Sequence, residues 1–387
     1  MPEALPVLPI ETNRRPHGKT DYALVHLISQ EMEKDLIESQ VIDHMQSQSI
    51  SEGNDRPAVT AAVFLEAGRR MLSGLTWRRR AQLAKRAPAV RVAVVPLIGR
   101  MSASSNARLL AFAIRRLVGT RPIVFHCRGE SSAFWANAMR AYLPNSGFVV
   151  DVRGAWPEEA LFSRGFNGPA DADAAALRHY EISASNLRFA LAEAGAILTV
   201  SGSLAHWLEP FTDRQKPIAV VPCCVSECLY DVEKRRVARQ RLGVEDKLVL
   251  AYLGTITAYQ HVSDGALRFV ADALAMNDSV HLMALTNEPA KLQSTARELG
   301  ISSDRATICR VPQEDVPAYL MAADAGFLLR RPSRMNRVSM PVKLGEYLSC
   351  GVPVIVSRMD GWVDDLVSEA AAASRSTGSA HQANSAQ

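Results

Sequence analysis

The sequence predicts an α/β protein made of two Rossmann-like, doubly wound domains facing each other across a cleft. Three observations predict it. The chain has 387 residues, too long for one ordinary domain and suited to two. Short continuous apolar runs alternate with amphipathic segments along most of it. A polar, charged stretch at 226–247 splits that alternation into two series. Continuous apolar strands between helices imply parallel sheets covered on both faces.

Residues 1–20 are Pro-rich and expected to be loose. The first domain, 21–225, opens with the strand YALVHLIS (Tyr22–Ser29). A helix follows, with Met32, Leu36, Ile37, Val41 and Met45 near one stripe. The strand AVTAAVFLEA (58–67), a short basic helix and the strand VRVAVVPLI (90–98) come next. After a helix come PIVFHCRG (122–129), another helix, and GFVVDVRG (147–154). A long helix over 173–194 and the strands AILTVS and IAVVP complete the first series. The linker is placed at 226–247 and the second domain at 248–373. There LVLAYLGTI, VHLMALT, ATICRVP, AGFLLR and VPVIVS read as strands with helices between them. Residues 374–387 read as a polar, low-complexity, disordered tail.

Apolar content is 48% and charged content 22%, an ordinary globular composition. No apolar run approaches the roughly 18 residues that span a bilayer. The start lacks the apolar core of a signal peptide, so a cytoplasmic protein is expected. The six cysteines are scattered, and VPCCVSEC has neither paired CxxC spacing nor a nearby His. Reduced thiols and no metal are the expectation. Net charge is +4, but residues 67–129 hold fourteen Lys or Arg and no acid, leaving −10 on the rest. Such a block implies a surface that faces something anionic.

The stretch RRPSRMNRVSMPVKLGEYLSCGVPVIVS (330–357) carries the chemistry. Arg330, Arg331, Arg334, Arg337 and Lys343 precede one carboxylate, Glu346. Ser339 and Pro341 mark a helix onset, and Gly351 with Pro353 its end. A basic loop would then feed straight into a helix N-terminus, whose free amides suit a phosphate or diphosphate. Glu346 is a poor phosphate ligand but a good acceptor for vicinal hydroxyls. Diphosphate beside a diol describes a nucleotide. The alternative is a solvated arginine loop with an ordinary surface Glu.

MPVKLGEYLSCGVPVIVS resembles the nucleotide-binding signature of GT-B glycosyltransferases, especially glycosyltransferase family 4. Pro341, Lys343, Glu346, Tyr347, Leu348, Gly351, Pro353, Val354 and Ile355 carry the likeness. VVPCCV, AYLGTI and DVRGAWPEE extend it over most of the chain. The resemblance implies a first domain for the acceptor and a second for the donor. It implies sugar transfer from a nucleotide diphosphate, with retention and without a required metal or other cofactor. By the same resemblance, Glu346 would bind the ribose, and Gly254 and Thr255 would approach the diphosphate. Lys343 and Arg330 or Arg331 would balance its charge, with Ser339, Met340 and Pro341 beside them. Two departures stand out. Many members carry a Glu where this chain has Val338, and the turn after Gly254 lacks the usual Arg and Lys.

In the first domain His126 and Arg128 follow the fourth strand, and Asp151 and Arg153 end the fifth. His126 would contact the sugar or orient the acceptor, or else be a structural histidine. Asp151 and Arg153 would serve the acceptor side or form a local ion pair.

In the basic block, residues 69–91 set Trp77 among arginines, with Met71, Leu72, Leu75 and Leu83 for an apolar face. That suits peripheral contact with the anionic inner face of a membrane. A solvated face is the alternative, and no aromatic-interleaved motif supports nucleic acid. The leading expectation is a hexosyltransferase using a nucleotide sugar and a glycan or lipid-linked acceptor to build cell-surface or exported polysaccharide. A non-catalytic scaffold, favoured by Val338 and a short C-terminus, and a sugar-nucleotide epimerase are the alternatives.

Overall fold

The computed structural model describes residues 21–29, 37–50, 57–72, 74–213, 215–225, 230–255, 263–330 and 332–369. The expected loose start, the expected tail and Arg331 lie outside the described residues.

Among those residues, two all-parallel sheets form. The first comprises β1 (Ala23–Ile28), β2 (Val59–Ala67), β3 (Arg91–Leu97), β4 (Ile123–Arg128), β5 (Ser146–Val152), β6 (Ala196–Thr199) and β7 (Ile218–Val220). Its order is β3-β2-β1-β4-β5-β6-β7. The second comprises β8 (Leu248–Leu253), β9 (Val280–Leu285), β10 (Ala306–Cys309), β11 (Ala325–Leu328) and β12 (Val354–Val356), in the order β10-β9-β8-β11-β12. The strand order reverses between β1 and β4 and between β8 and β11. In such sheets the crevice beyond the strand C-termini at that reversal takes the ligand.

Helices cover both faces of the first sheet. α1 (Asp43–Ile50) and α2 (Gly74–Arg86) lie on one side, where Met45 and Leu83 pack against Phe64 and Val92. α3 (Ala103–Val118), α4 (Glu130–Met139), α5 (Trp156–Phe162), α6 (Ala174–Glu193) and α7 (Gly202–Leu208) follow. On the opposite face Leu110, Ala133 and Leu187, from α3, α4 and α6, pack against Val25, Val63 and Phe125. Polar caps fix the starts: Ser102, Asp173 and Ser201 accept from the amides of Ser105, Ala176 and Leu204.

Within 226–247 lies a helix, α8 (Val232–Leu242), docked on the second sheet. Its Arg235 and Arg239 meet the Asp324 carboxylate at 2.5 and 3.0 Å. Asp324 also accepts from the Val249 amide at 2.7 Å, so α8 is tied to β8. Next come α9 (Ser263–Met276), α10 (Pro289–Glu298), α11 (Val316–Leu320), α12 (Arg334–Val338) and α13 (Val342–Ser349), with a further helical run at 362–369.

The stretch expected to be one loop and one helix is two helices. Ser333 caps α12 by accepting from the Asn336 amide at 3.0 Å. Ser339 ends that helix instead of starting the next, and α13 begins after Pro341 with no side-chain cap. α12 reaches the first domain. Arg334 pairs with Glu158 at 3.1 Å, and Ser201 Oγ donates to the Val338 carbonyl at 2.9 Å. Val338 is buried within the first domain's core.

The basic block is less free than its composition implies. Arg79 pairs with Glu38, and Arg86 binds Asp43 through two hydrogen bonds of 2.6 and 2.7 Å. Leu83 faces the core, leaving Leu72, Leu75 and Trp77 outward, 90%, 63% and 47% exposed. Among the described residues, no helix is long and apolar enough to cross a membrane.

Candidate active site

Two polar sites sit at the two reversals of strand order. In the second domain, the turns after β8, β9 and β10 and the start of α13 flank a cleft of about 500 Å³. Gly254, Thr255, Lys343 and Glu346 line it together with Arg310 and Gln313.

Gly254 has φ +145°, and a Cβ there would lie 2.8 Å from Lys343 Cε. The lysine stem thus passes directly over the glycine, an approach no larger residue allows. Burial pulls the Lys343 ammonium below its usual range; Glu346 raises it and Arg330 lowers it further. Tyr252 donates to the Thr255 carbonyl at 3.2 Å and holds the turn.

α13 is fixed from beneath. Tyr347 is fully buried and donates to the Ala251 carbonyl at 3.2 Å. Its ring lies on Gly326, where a Cβ would come 2.5 Å from Cδ1. Glu346 is therefore delivered to the cleft from a rigid helix. Gln313 donates to its Oε1 at 2.8 Å, and Oε2 takes no hydrogen bond from a described residue. One carboxylate oxygen remains for a ligand hydroxyl.

Arg330 is 5% exposed. Its Nη1 donates to Asn336 Oδ1 at 3.3 Å and Ser339 Oγ at 2.9 Å, and its Nε is buried without a partner. Ser357 grips its backbone, accepting from the amide at 2.7 Å and donating to the carbonyl at 2.8 Å. No described carboxylate pairs with this guanidinium. Burial draws it down to about 10, so it is still cationic at neutral pH.

Ser339 accepts a hydrogen bond from Arg330, and neither residue lines the cleft. Met340 points away: its Sδ accepts from the Cys223 amide at 3.0 Å, against the first domain. Pro341 is the buried residue preceding α13.

The first-domain site is a small pocket of about 70 Å³, lined by His26, His44, His126, Arg128, Asp151 and Arg153 among others. His126 and Arg128 lie within β4, not in the loop beyond it. His126 Nε2 and Arg153 Nη1 both meet Asp151 Oδ2 at 3.2 Å. Arg153 Nη2 also reaches Cys223 Sγ at 2.9 Å. The local ion pair of Asp151 and Arg153 is thus present, and His126 hydrogen-bonds to the same carboxylate oxygen. Burial pushes the Asp151 carboxyl up, but His126, Arg153 and Arg128 outweigh it and hold it below the ordinary range. Burial, then Arg153, brings Arg128 down to about 10.

Sequence reasoning missed His26. It is the register partner of His126 across β1 and β4, and the rings stack at 4.3 Å. Its Nε2 is buried without a partner, and burial and His126 drive its pKa well below the usual value. Glu130, at the start of α4, was also missed. Burial, with Glu159 nearby, raises it to about 7. Arg310 and Gln313 lie just past β10, where the strand-end rule points. Among the described residues, no group of three His, Cys, Asp or Glu is placed to hold a metal ion.

Residues 247–382 match the family model described as Glycosyl transferases group 1. No curated protein matches the chain. Several solved structures share its fold. Alr3699/HepE of Anabaena, solved with UDP and glucose, aligns with TM-score 0.58 at 14% identity, over 89% of this chain and 83% of that one. Sucrose-phosphate synthase of Thermosynechococcus elongatus aligns with TM-score 0.57 at 13% identity, over 88% and 82%. A glycosyltransferase of Rickettsia africae gives TM-score 0.57 at 12% identity, over 89% and 81%. The architecture is the GT-B arrangement of two Rossmann-like domains.

Proposed function

We propose that the protein is a retaining glycosyltransferase of the family 4 type, moving a hexosyl group from a nucleotide-diphosphate donor to a glycan or lipid-linked acceptor. One observation carries the reading: a buried arginine without a described carboxylate, near enough to Lys343 to lower its ammonium, in the domain whose cleft Gly254, Lys343 and Glu346 line. A buried cation of this kind calls for an anionic ligand. The diphosphate occupies that position, close to the Gly254 backbone, and Glu346 takes the ribose hydroxyls. As the glycosidic bond breaks, negative charge grows on the leaving diphosphate, and Arg330 and Lys343 oppose it where it develops. No metal is needed when two cations are already in place. His126, fixed by Asp151, meets the sugar or the acceptor from the opposite domain, with Arg128 and Arg153 on the acceptor side.

A thermal-shift panel of UDP, GDP and ADP sugars tests the donor site. The HepE complexes with UDP and UDP-glucose make uridine donors the first choice. At a hundredfold excess over Kd, binding adds about 2.7 kcal/mol, a rise of several degrees. Glu346→Ala loses most of it. The absence of any shift would favour a non-catalytic scaffold. That reading draws on Val338, whose site many relatives fill with a carboxylate but which here packs into the first domain.

The acceptor reading places the enzyme at the inner face of the membrane, in assembly of exported or cell-surface polysaccharide. Leu72, Leu75 and Trp77 stand outward beside exposed Arg69 and Arg78. Each cation near an anionic surface contributes about 1 kcal/mol. Co-sedimentation with anionic vesicles at low salt should succeed, and Leu72→Glu should weaken it severalfold. Equal pelleting with neutral vesicles would remove the charge argument.

A further inference from the structure

A second concavity, about 930 Å³, runs along the C-terminal edge of β1, β2 and β3. It has two kinds of wall. Ile98, Met101, Phe134 and Trp135 give it an apolar side, and Arg69, Arg70 and Arg100 a cationic one. Arg69 and Arg100 are exposed and pair with no described acid. Arg70 lies 3.8 Å from Glu66, the one carboxylate in the lining, and offsets it.

The walls are held before any ligand arrives. Asn106 is buried and clamps the loop after β3. Its Oδ1 accepts from the Ile98 amide at 2.9 Å, and its Nδ2 donates to the Ile98 carbonyl at 3.1 Å. On the other side, Thr76 Oγ1 donates to the Arg70 carbonyl and Trp77 Nε1 to the Met71 carbonyl, both at 3.0 Å. These bonds lock the turn Gly68–Leu72 onto α2. The turn carries Arg69 and Arg70 of the groove together with exposed Leu72.

The groove and the histidine pocket lie at the same end of β1. Ile28 lines the pocket, and the next residue, Ser29, lines the groove. Two strand spacings, about 10 Å, separate β1 from β3. The groove-lining Gly68, Arg69 and Arg70 belong to the turn that ends at exposed Leu72, with exposed Leu75 and Trp77 on the helix that follows.

We propose that this groove binds an anionic amphiphile: a phosphate or diphosphate head held by Arg69 and Arg100, with the first carbons of an apolar tail against Ile98 and Phe134. Charge complementarity selects the head, since two guanidiniums that pair with no described acid flank the site. Neighbouring apolar surface selects the tail, which leaves past the exposed corner toward a bilayer. As the acceptor's own site, the groove rests on the transferase reading above; as a binding site it stands alone.

Decyl phosphate below its micellar concentration is the probe, titrated calorimetrically into the full chain. Decyl maltoside supplies the same tail with a neutral head, and inorganic phosphate the head alone. Decyl phosphate should bind at least tenfold more tightly than either. Arg69→Glu combined with Arg100→Glu should weaken it at least tenfold and leave UDP binding unchanged. Arg100→Glu alone serves if the pair fails to fold. Phe134→Ser should weaken decyl phosphate and spare inorganic phosphate. Equal affinity for decyl maltoside, equal affinity for inorganic phosphate, or full affinity in the arginine variants would each overturn the proposal. UDP binding is read separately: its loss with decyl phosphate retained would sink the donor reading and leave the groove standing.

Discussion

Arg330→Met should lower kcat/KM by two to three orders of magnitude while leaving the unliganded protein about as stable as before. The two halves of this expectation share one cause. The guanidinium is buried, has no carboxylate partner among the described residues, and keeps one nitrogen unsatisfied. In the absence of ligand it is a desolvated charge, and replacing such a charge by an apolar side chain of similar length is commonly neutral or stabilising. Asn336 and Ser339 each lose a donor, which costs about 1 kcal/mol apiece and offsets part of that gain. In the proposed reaction the same charge would face the departing diphosphate. Losing one preorganised electrostatic contact of this kind costs about 3–4 kcal/mol of transition-state stabilisation. Steady-state kinetics on the nucleotide sugar identified by thermal shift, with calorimetric melting of both proteins, checks the pair of outcomes. Activity within tenfold of wild type would remove Arg330 from the machinery. A large fall in melting temperature would make it a structural residue.

Much of this site was legible because it follows from strand order, and strand order follows from apolar runs. β9 is buried at every position, and β2 at all but its last, so both read as uninterrupted hydrophobic segments. Two alternating series place Gly254 after one strand and Arg330 after another. The illegible parts depend on residues distant in sequence. Arg334 looked like a phosphate ligand, but its partner is Glu158 in the other domain. The acid-free block implied a basic surface free to face an anion, but Glu38 and Asp43 on the preceding helical segment take Arg79 and Arg86. Segment charge is not surface charge when the counter-ions come from elsewhere. His26 sits in an apolar run and reads as core. Only the parallel register of β1 against β4 reveals that it stacks on His126. Ser333 could have been found, since a serine three residues before an asparagine amide is a local capping pattern.

Asp151→Ala should be the more damaging of the two changes to the fold. The carboxylate is buried and meets His126 and Arg153 through one oxygen, with Arg128 close enough to influence it. Truncation removes the one carboxylate among the described lining residues of a pocket of about 70 Å³ that holds two arginines and three histidines. Breaking a buried pair by removing one partner costs about 3–5 kcal/mol, because the survivor remains desolvated. Asp151→Asn should cost less, since the amide oxygen still accepts one hydrogen bond, but it removes the charge. The pH dependence separates charge from packing. Asp151 is held below the ordinary carboxylate range, so the folded state binds its proton less readily than the unfolded chain does. Its contribution is present above the unfolded value, about 3.9, and is lost as pH falls through the folded one. Urea melts of wild type and Asp151→Asn should therefore differ most near neutrality and converge below about pH 4. A gap that stayed constant with pH would mean that Asp151 acts by shape. His126 would then need another source for its orientation toward the cleft.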